Sequence, residues 1–325
     1  MTLLAESTLH TLDPFVVRIS GDFGIRWYGL AYVTGFVAAL ALTHWLSRTR
    51  RIPLPPARVA DFITVAVLGV LVGGRLGHAI FYDPELLISF SGSFPFWELL
   101  AIHHGGMSSH GGILGVFAAM WIFGRRNAVP FWSLCDTACF IAPAGLMLGR
   151  LANWVNGELP GKALPPSMQG DPPWWSVKYP EEAIDIAVAG VRDGSLPASS
   201  VDSATALAHA AYAGDANAAA QIAALVPARY PNNFIQAATD GPLLMLVLVL
   251  VWWKPRHAGT LFGAFLIAYG LLRNVSEQYR VPDPDILTIG PVTLPMLLSA
   301  AMVLAGILLI RHAKSSAQPL VGGRA

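Results

Sequence analysis

The sequence predicts an all-α polytopic membrane protein of about seven transmembrane helices with an external helical insert, and three observations carry that fold class. Of the 325 residues, 54% are hydrophobic and only 13% are charged, whereas about one quarter of a soluble domain is charged. Mean hydropathy is +0.53. Apolar runs close to the length needed to cross a bilayer recur along almost the whole chain. The connections between those runs are alternately basic and not, as the loops of an inserted protein are. The formal net charge of +1 carries no footprint of nucleic acid or of an acidic partner.

The first twenty residues, "MTLLAESTLHTLDPFVVRIS", lack a basic leading segment and an unbroken apolar core. They do not read as a cleaved signal peptide, and insertion falls to the first spanning helix. Candidate spans follow at 27–46, 59–82, 110–124 (short), 131–154, 234–253, 259–278 and 291–311. The connections after the first, third, fifth and seventh read "SRTRRIPLPPAR", "GRRNAVP", "KPRHAG" and "RHAKSSAQPLVGGRA". All are basic, so they are assigned to the cytoplasm. The N-terminus and the 158–230 connection then lie outside, and the C-terminus inside. This gives three regions: 1–157 with an external N-terminal segment and four spans, 158–230 as an external polar cap, and 231–325 with three spans and a cytoplasmic tail.

The insert carries eight acidic and four basic residues. It begins Pro- and Trp-rich and continues alanine-rich, with helical propensity but without a strong apolar stripe. Cys135 and Cys139 stand four apart on one predicted helix and read as small packing residues, not as a disulfide or metal site. No repeat of twenty to fifty residues is evident, which weakens the inverted-repeat architecture of many transporters.

Ionisable groups inside spans are costly, so each is a functional candidate. The second span carries Arg75 and His78, for which pairing with backbone carbonyls stands beside a functional role. The fourth carries Arg150, Asn153 and Asn156/Gly157, spaced along roughly one face. The sixth places Tyr269, Arg273 and Glu277 at i, i+4 and i+8. For Arg150 the alternative is snorkelling, and for Arg273 with Glu277 a merely neutralising ion pair. Trp27 and Tyr28 open the first span, where an aromatic belt is the competing reading. In "MSSHGGILG" the chain re-enters the membrane: Ser108 or Ser109 caps the third helix, and His110, Gly111 and Gly112 form its first turn. Bare glycines at a helix start would let an anion approach free N–H groups.

Two arginines grip a phosphate diester well, since guanidinium stays charged and donates paired hydrogen bonds. In a membrane that phosphate belongs to a lipid headgroup. A histidine can take a proton from a thiol, hydroxyl or water while the arginines stabilise the departing phosphate. The chemistry is group transfer from a phospholipid.

Five blocks in order, "RWYGLAYVTGF", "GGRLGHAIFY", "GGMSSHGGILG", "GRLANWVNGELPG" and "FLIAYGLLRNVSEQYRVPD", resemble the phosphatidylglycerol–prolipoprotein diacylglyceryl transferase family. The resemblance covers nearly the whole chain outside 163–229. It implies a multi-pass enzyme of the bacterial inner membrane that moves the diacylglyceryl group of phosphatidylglycerol onto the lipobox cysteine of a preprolipoprotein. A thioether forms and glycerol 1-phosphate leaves. By motif, His110, Arg150, Asn153, Tyr269, Arg273 and Glu277 take catalytic positions. Arg150, Arg273, Gly111, Gly112, Gly157, Tyr28 and Glu158 take headgroup-binding ones. No cofactor, metal or nucleic acid is expected; the partners are phosphatidylglycerol, lipobox signal peptides and the bilayer. Two departures stand out. "PNNFIQ" at 231–236 has Ile235 and Gln236 where the family commonly has tyrosine and glutamate, and "IGPVTLPM" replaces a Met-Gly-Gln stretch. The competing functions are a transporter or channel using the intramembrane charges, and a family member that binds lipid or signal peptides without catalysis.

Overall fold

The computed structural model describes residues 7–20, 23–92, 94–101, 105–281, 288–289, 292–316 and 318–323. Strands β1 (Thr8–Leu9), β2 (Phe15–Ser20) and β3 (Phe23–Arg26) precede helices α1 (Trp27–Arg48), α2 (Val59–Phe81), α3 (Ser109–Asn127) and α4 (Phe131–Val155). Next come α5 (Pro166–Gln169), β4 (Val177–Lys178), α6 (Glu182–Arg192), α7 (Ser199–Tyr212), α8 (Ala216–Leu225) and α9 (Asn232–Ala238). A π turn, Thr239–Leu243, joins α9 to α10 (Leu244–Trp252). The chain closes with β5 (Arg256–His257), α11 (Thr260–Glu277), β6 (Thr288–Ile289), β7 (Val292–Thr293), α12 (Leu294–Ser315) and β8 (Leu320–Val321). Gly290 and Pro291 of the "IGPVTLPM" departure lie outside the described residues.

Among the described residues, five helical segments are long and apolar enough to cross a membrane: Trp27–Arg48, Pro56–Phe81, Phe131–Val155, Asn232–Trp252 and Leu294–Ser315. Seven were expected. The other two positions, α3 and α11, are helices of 19 and 18 residues. Their apolar sequence is interrupted by Arg125 and Arg126 in one and by Arg273 and Glu277 in the other. Apolar side chains such as Val33, Val37, Leu246 and Leu304 are exposed along the five spans, as lipid-facing surfaces are.

The chain divides into two compact units. The first comprises Met1–Gly35, Ala144–Leu244 and Tyr269–Met302. Within it the insert is a small helical body: Ala183, Ala208, Ile222 and Val226 form its core, with Leu9 packed against them. Ala183 and Ala208 supply half of that core, and alanine contrasts little with a helix surface, so the sequence offered no strong stripe there. β1 pairs in parallel with β4. Arg229 ties the insert together, pairing with Glu182 and donating Nη1 to the Gly161 carbonyl at 2.9 Å.

The second unit comprises Phe36–Pro143, Met245–Ala268 and Val303–Ala325. Here α2 and α3 pack backbone to backbone. Gly69, Gly73 and Gly77 recur every fourth residue on α2 and meet Gly111 and Gly115 on α3; a Cβ on Gly73 would lie 2.4 Å from the Gly111 carbonyl oxygen. This is the small-residue packing that holds helices together where lipid removes the hydrophobic drive. Asp136, fully buried on α4, accepts from Gly259 N at 2.8 Å and Phe262 N at 2.7 Å and so satisfies the start of α11.

Candidate active site

The first unit gathers most of the residues singled out from the sequence. Helix α4 ends at Val155. Gly157 (φ +70°) and Leu159 (φ +53°) then turn the chain back on itself, a reversal glycine makes without strain. Gly157 and the residues beside it therefore do not continue along the helix face as the spacing suggested. The turn returns Glu158 to the helix it has just left, and its N–H donates to the Asn153 carbonyl at 2.9 Å. There the Glu158 carboxylate accepts from Tyr28 Oη at 2.5 Å, Asn153 Nδ2 at 2.9 Å and Asn156 Nδ2 at 3.3 Å. Asn153 Nδ2 also donates to Tyr28 Oη. Tyr28 thus belongs to a polar cluster and is not only a belt residue.

From behind, the turn is held by the "PNNFIQ" segment. Asn232 Nδ2 donates to the Leu159 carbonyl at 3.1 Å and Asn233 Nδ2 to the Glu158 carbonyl at 2.9 Å, with both asparagines buried. His10 lies against the same turn: an added Cβ on Gly157 would come within 3.4 Å of its ring. That ring packs against Trp154 and Tyr179 at centroid separations of 5.8 and 5.4 Å. Burial holds the His10 pKa below its ordinary value, against the opposing pull of Glu181.

One turn back along α4, Arg150 Nε pairs with Asp240 Oδ2 at 3.1 Å; Asp240 is fully buried. Asp240 sits in the π turn. Pro242 has no N–H to continue the helical ladder, and Gly241 lets the turn approach α4, where a Cβ would meet Met147 at 2.7 Å. Sequence reasoning missed Asp240, although the rule that found Arg150, that a charge inside a span is a functional candidate, applies to it equally.

On α11, Arg273 Nη1 and Glu277 Oε2 form the expected i, i+4 ion pair at 2.7 Å, with both side chains largely buried. Tyr269 interacts electrostatically with Asp240, Arg150 and Arg273. Tyr28, Arg150, Asn153, Glu158, Asp240, Tyr269, Arg273 and Glu277 therefore fall within one unit. Arg150 bonds Tyr269 as well as Asp240, and Arg273 pairs with Glu277, so each guanidinium spends only part of its five donors.

His110, Gly111 and Gly112 belong to the second unit. Ser108 is the N-cap of α3; its hydroxyl accepts from Gly111 N at 3.2 Å and its carbonyl from Gly112 N at 2.9 Å. His110 is exposed beside them. Both glycine N–H groups are engaged by Ser108, and Gly111 meets Gly73 and Gly77 of α2 so closely that a side chain would clash. The two glycines shape the turn that presents His110.

Arg75 resolves in favour of its backbone-pairing reading. Its Nε donates to Leu99 O at 2.8 Å, Nη1 to Gly105 O and Gly106 O at 2.7 and 3.1 Å, and Nη2 to Glu98 O and Ala101 O at 2.7 and 3.4 Å. All five donors are used. Arg75 fastens the connection before α3, and His78 stacks on Tyr82 at 5.6 Å.

The family model described as prolipoprotein diacylglyceryl transferase matches residues 14–312. The chain is 37% identical to the phosphatidylglycerol–prolipoprotein diacylglyceryl transferase of Bdellovibrio bacteriovorus, over 93% of each chain. It is 35% identical to the protein of that name from Solidesulfovibrio magneticus, over 92% of this chain and 93% of the relative. It is also 35% identical to that from Rhodospirillum rubrum, over 96% and 97%.

Proposed function

The chain belongs to the prolipoprotein diacylglyceryl transferase family and is a membrane transferase, and on that premise we propose the reaction and the residues that carry it out. It transfers the diacylglyceryl group of phosphatidylglycerol to the lipobox cysteine thiol of a preprolipoprotein. Sulfur bonds to the glyceryl C3 carbon as that carbon's bond to the phosphate oxygen breaks. The bonding pair leaves on glycerol 1-phosphate, and the thiol proton passes to a base.

Arg150 and Arg273 clamp the headgroup phosphate and oppose the charge that grows on it, the interaction most effective where water is excluded. Asp240 and Glu277 hold those guanidiniums in place. Tyr28, Asn153, Gly157 and Glu158 form the polar wall that the headgroup glycerol meets, and Tyr269 completes it. His110 takes the thiol proton or holds the headgroup, with Gly111 and Gly112 keeping its turn tightly packed. A thiol of ordinary pKa near 8.5 is only a few per cent ionised at neutral pH, so a base speeds the reaction without being indispensable.

In the full topology α3 and α11 also cross the bacterial inner membrane, making seven spans. The N-terminus and the 158–230 cap are external and the tail is cytoplasmic; the basic connections support this orientation. One observation carries the chemistry: two arginines on different helices, each charge-balanced by a buried carboxylate and each keeping donors to spare. Expression in a bacterium depleted of its own transferase tests the reading. The chain restores lipoprotein modification if the reading holds, and a transporter or non-catalytic binder does not.

A further inference from the structure

Arg75 is a buried charge that the proposed reaction leaves unused. It is 7% exposed, and its donors gather carbonyls from two stretches of the connection before α3: Glu98, Leu99 and Ala101 in and just after a short helical turn, then Gly105 and Gly106. Carbonyl oxygens turned toward one another repel unless a cation sits among them. Guanidinium offers five donors in one plane, whereas a lysine ammonium has three on a single nitrogen. Position 75 thus needs the arginine fork, and not merely a positive charge.

The gathered stretch runs directly into the turn that carries His110. Gly106 (φ +76°) lies so close to α2 that a Cβ would meet His78 Nε2 at 2.7 Å and Arg75 Nη1 at 2.8 Å. A side chain on Gly74 would strike Met107 at 2.7 Å, and Ser108 N donates to the Gly74 carbonyl at 2.9 Å. Residues 106, 107 and 108 therefore lie one after another against Gly74, Arg75 and His78 of α2. Two residues on, His110 stands between this anchor and the packing of Gly111 on Gly73. The first turn of a helix has no intrahelical partners for its N–H groups and frays unless its cap is held. Ser108 is that cap, and the carbonyls gathered on Arg75 fix the chain that enters it.

We propose that Arg75 is a positioning residue for the transfer: by fixing 98–101 and 105–106 it sets the entry into Ser108, and so the place of His110. It acts through His110 and touches no substrate. The inference rests on the reading of His110 as the base or the headgroup holder, and it adds the group on which that placement depends. Were α3 held by its glycines alone, His110 would be indifferent to Arg75.

The full-length protein in phosphatidylglycerol nanodiscs is followed by hydrogen–deuterium exchange and by transfer to a lipobox peptide. Arg75→Lys keeps the charge but loses bonds, so amides within 98–112 should exchange about tenfold faster while those of α4 do not change. The transfer rate should fall by up to about a hundredfold, as a displaced catalytic group requires, and with the pH dependence of His110→Asn. Adding Arg75→Lys to His110→Asn should cost nothing further; a merely destabilised fold would multiply the two losses. Arg58→Lys, an exposed change at the other end of α2, should match the wild type. If Arg75→Lys does not fold, Gly106→Ala decides: it pushes the same turn off Arg75 and leaves the buried charge in place. Wild-type exchange at 98–112 in the variants that fold, or an additive loss beside an impaired His110→Asn, overturns this inference alone. A wild-type rate for His110→Asn by itself would overturn the reading of His110 and this inference with it.

Discussion

Arg150 and Arg273, the proposed phosphate clamp, are each already paired with a carboxylate, and this fixes what their partners must do. Asp240 is fully buried against Arg150, and removing one member of such a pair leaves an uncompensated charge worth about 3–5 kcal/mol. Asp240→Ala should therefore damage folding and activity together. Asp240→Asn, which keeps a hydrogen-bond acceptor, should fold and lose about tenfold in kcat/KM, equivalent to one charge-assisted contact. Because it acts through Arg150, adding Asp240→Asn to Arg150→Ala should cost nothing further; an additive loss would give Asp240 a separate role. Arg273 and Glu277 were legible because their partnership follows the helical repeat. The Arg150–Asp240 pair was not, because its members are 90 residues apart and spacing along one helix says nothing of such a contact. His10 left no signal at all, being a lone histidine in a segment without periodicity. Burial holds its folded-state pKa below the ordinary 6.5, so as pH falls the unfolded chain takes up the proton first. Its contribution to stability is complete above 6.5, is lost as pH falls through the window below that value, and levels off once the lower folded-state pKa is passed. Thermal unfolding followed across that window should show a slope that His10→Gln flattens; an unchanged slope would remove His10 as its source.

At the scale of elements, glycine placement explains more than hydrophobicity does. Gly69, Gly73 and Gly77 repeat every fourth residue, and α3 answers with Gly111 and Gly115. That signature was present in the sequence, where the glycines beside His110 drew an anion-binding reading instead. A Gly111→Ala side chain would sit 2.3 Å from the Gly73 carbonyl oxygen, forcing two backbones apart at about 1–3 kcal/mol. Lower thermal stability, with substrate KM unchanged in the protein that remains folded, is the expected outcome. A raised KM at wild-type stability would return the glycine to the headgroup. The helix ends were harder to read. "NWVNGE" continues the helical spacing on paper, yet Gly157 turns the chain, and the turn gives Glu158 its access to Asn153 and Tyr28. In the insert, alanines at 183, 208 and 218 are buried; a residue common on any helix surface leaves little contrast from which to read a core.

For the whole molecule, low charge and recurring apolar runs make the membrane class legible, because 13% charged residues is about half of what a soluble domain carries. Helix number is less legible. α3 ends in Arg125 and Arg126 and α11 carries Arg273 and Glu277, and those charges lower their apolar signal. Cysteine labelling tests the topology: with Cys135 and Cys139 replaced, a cysteine placed at exposed Ser199 should react with an impermeant maleimide in intact cells stripped of their outer membrane. Labelling only after the inner membrane is opened would invert the orientation. The central claim is that two charge-balanced arginines drive phospholipid-to-thiol transfer, and the most direct measurement uses purified protein, phosphatidylglycerol labelled in its acyl chains, and a lipobox peptide. Label should appear on the peptide thiol with release of glycerol 1-phosphate. Arg150→Ala and Arg273→Ala should each lower the rate about tenfold to a hundredfold or more, as losing a contact of about 1.5–3 kcal/mol requires. Peptide labelling at the wild-type rate in both variants would contradict the account.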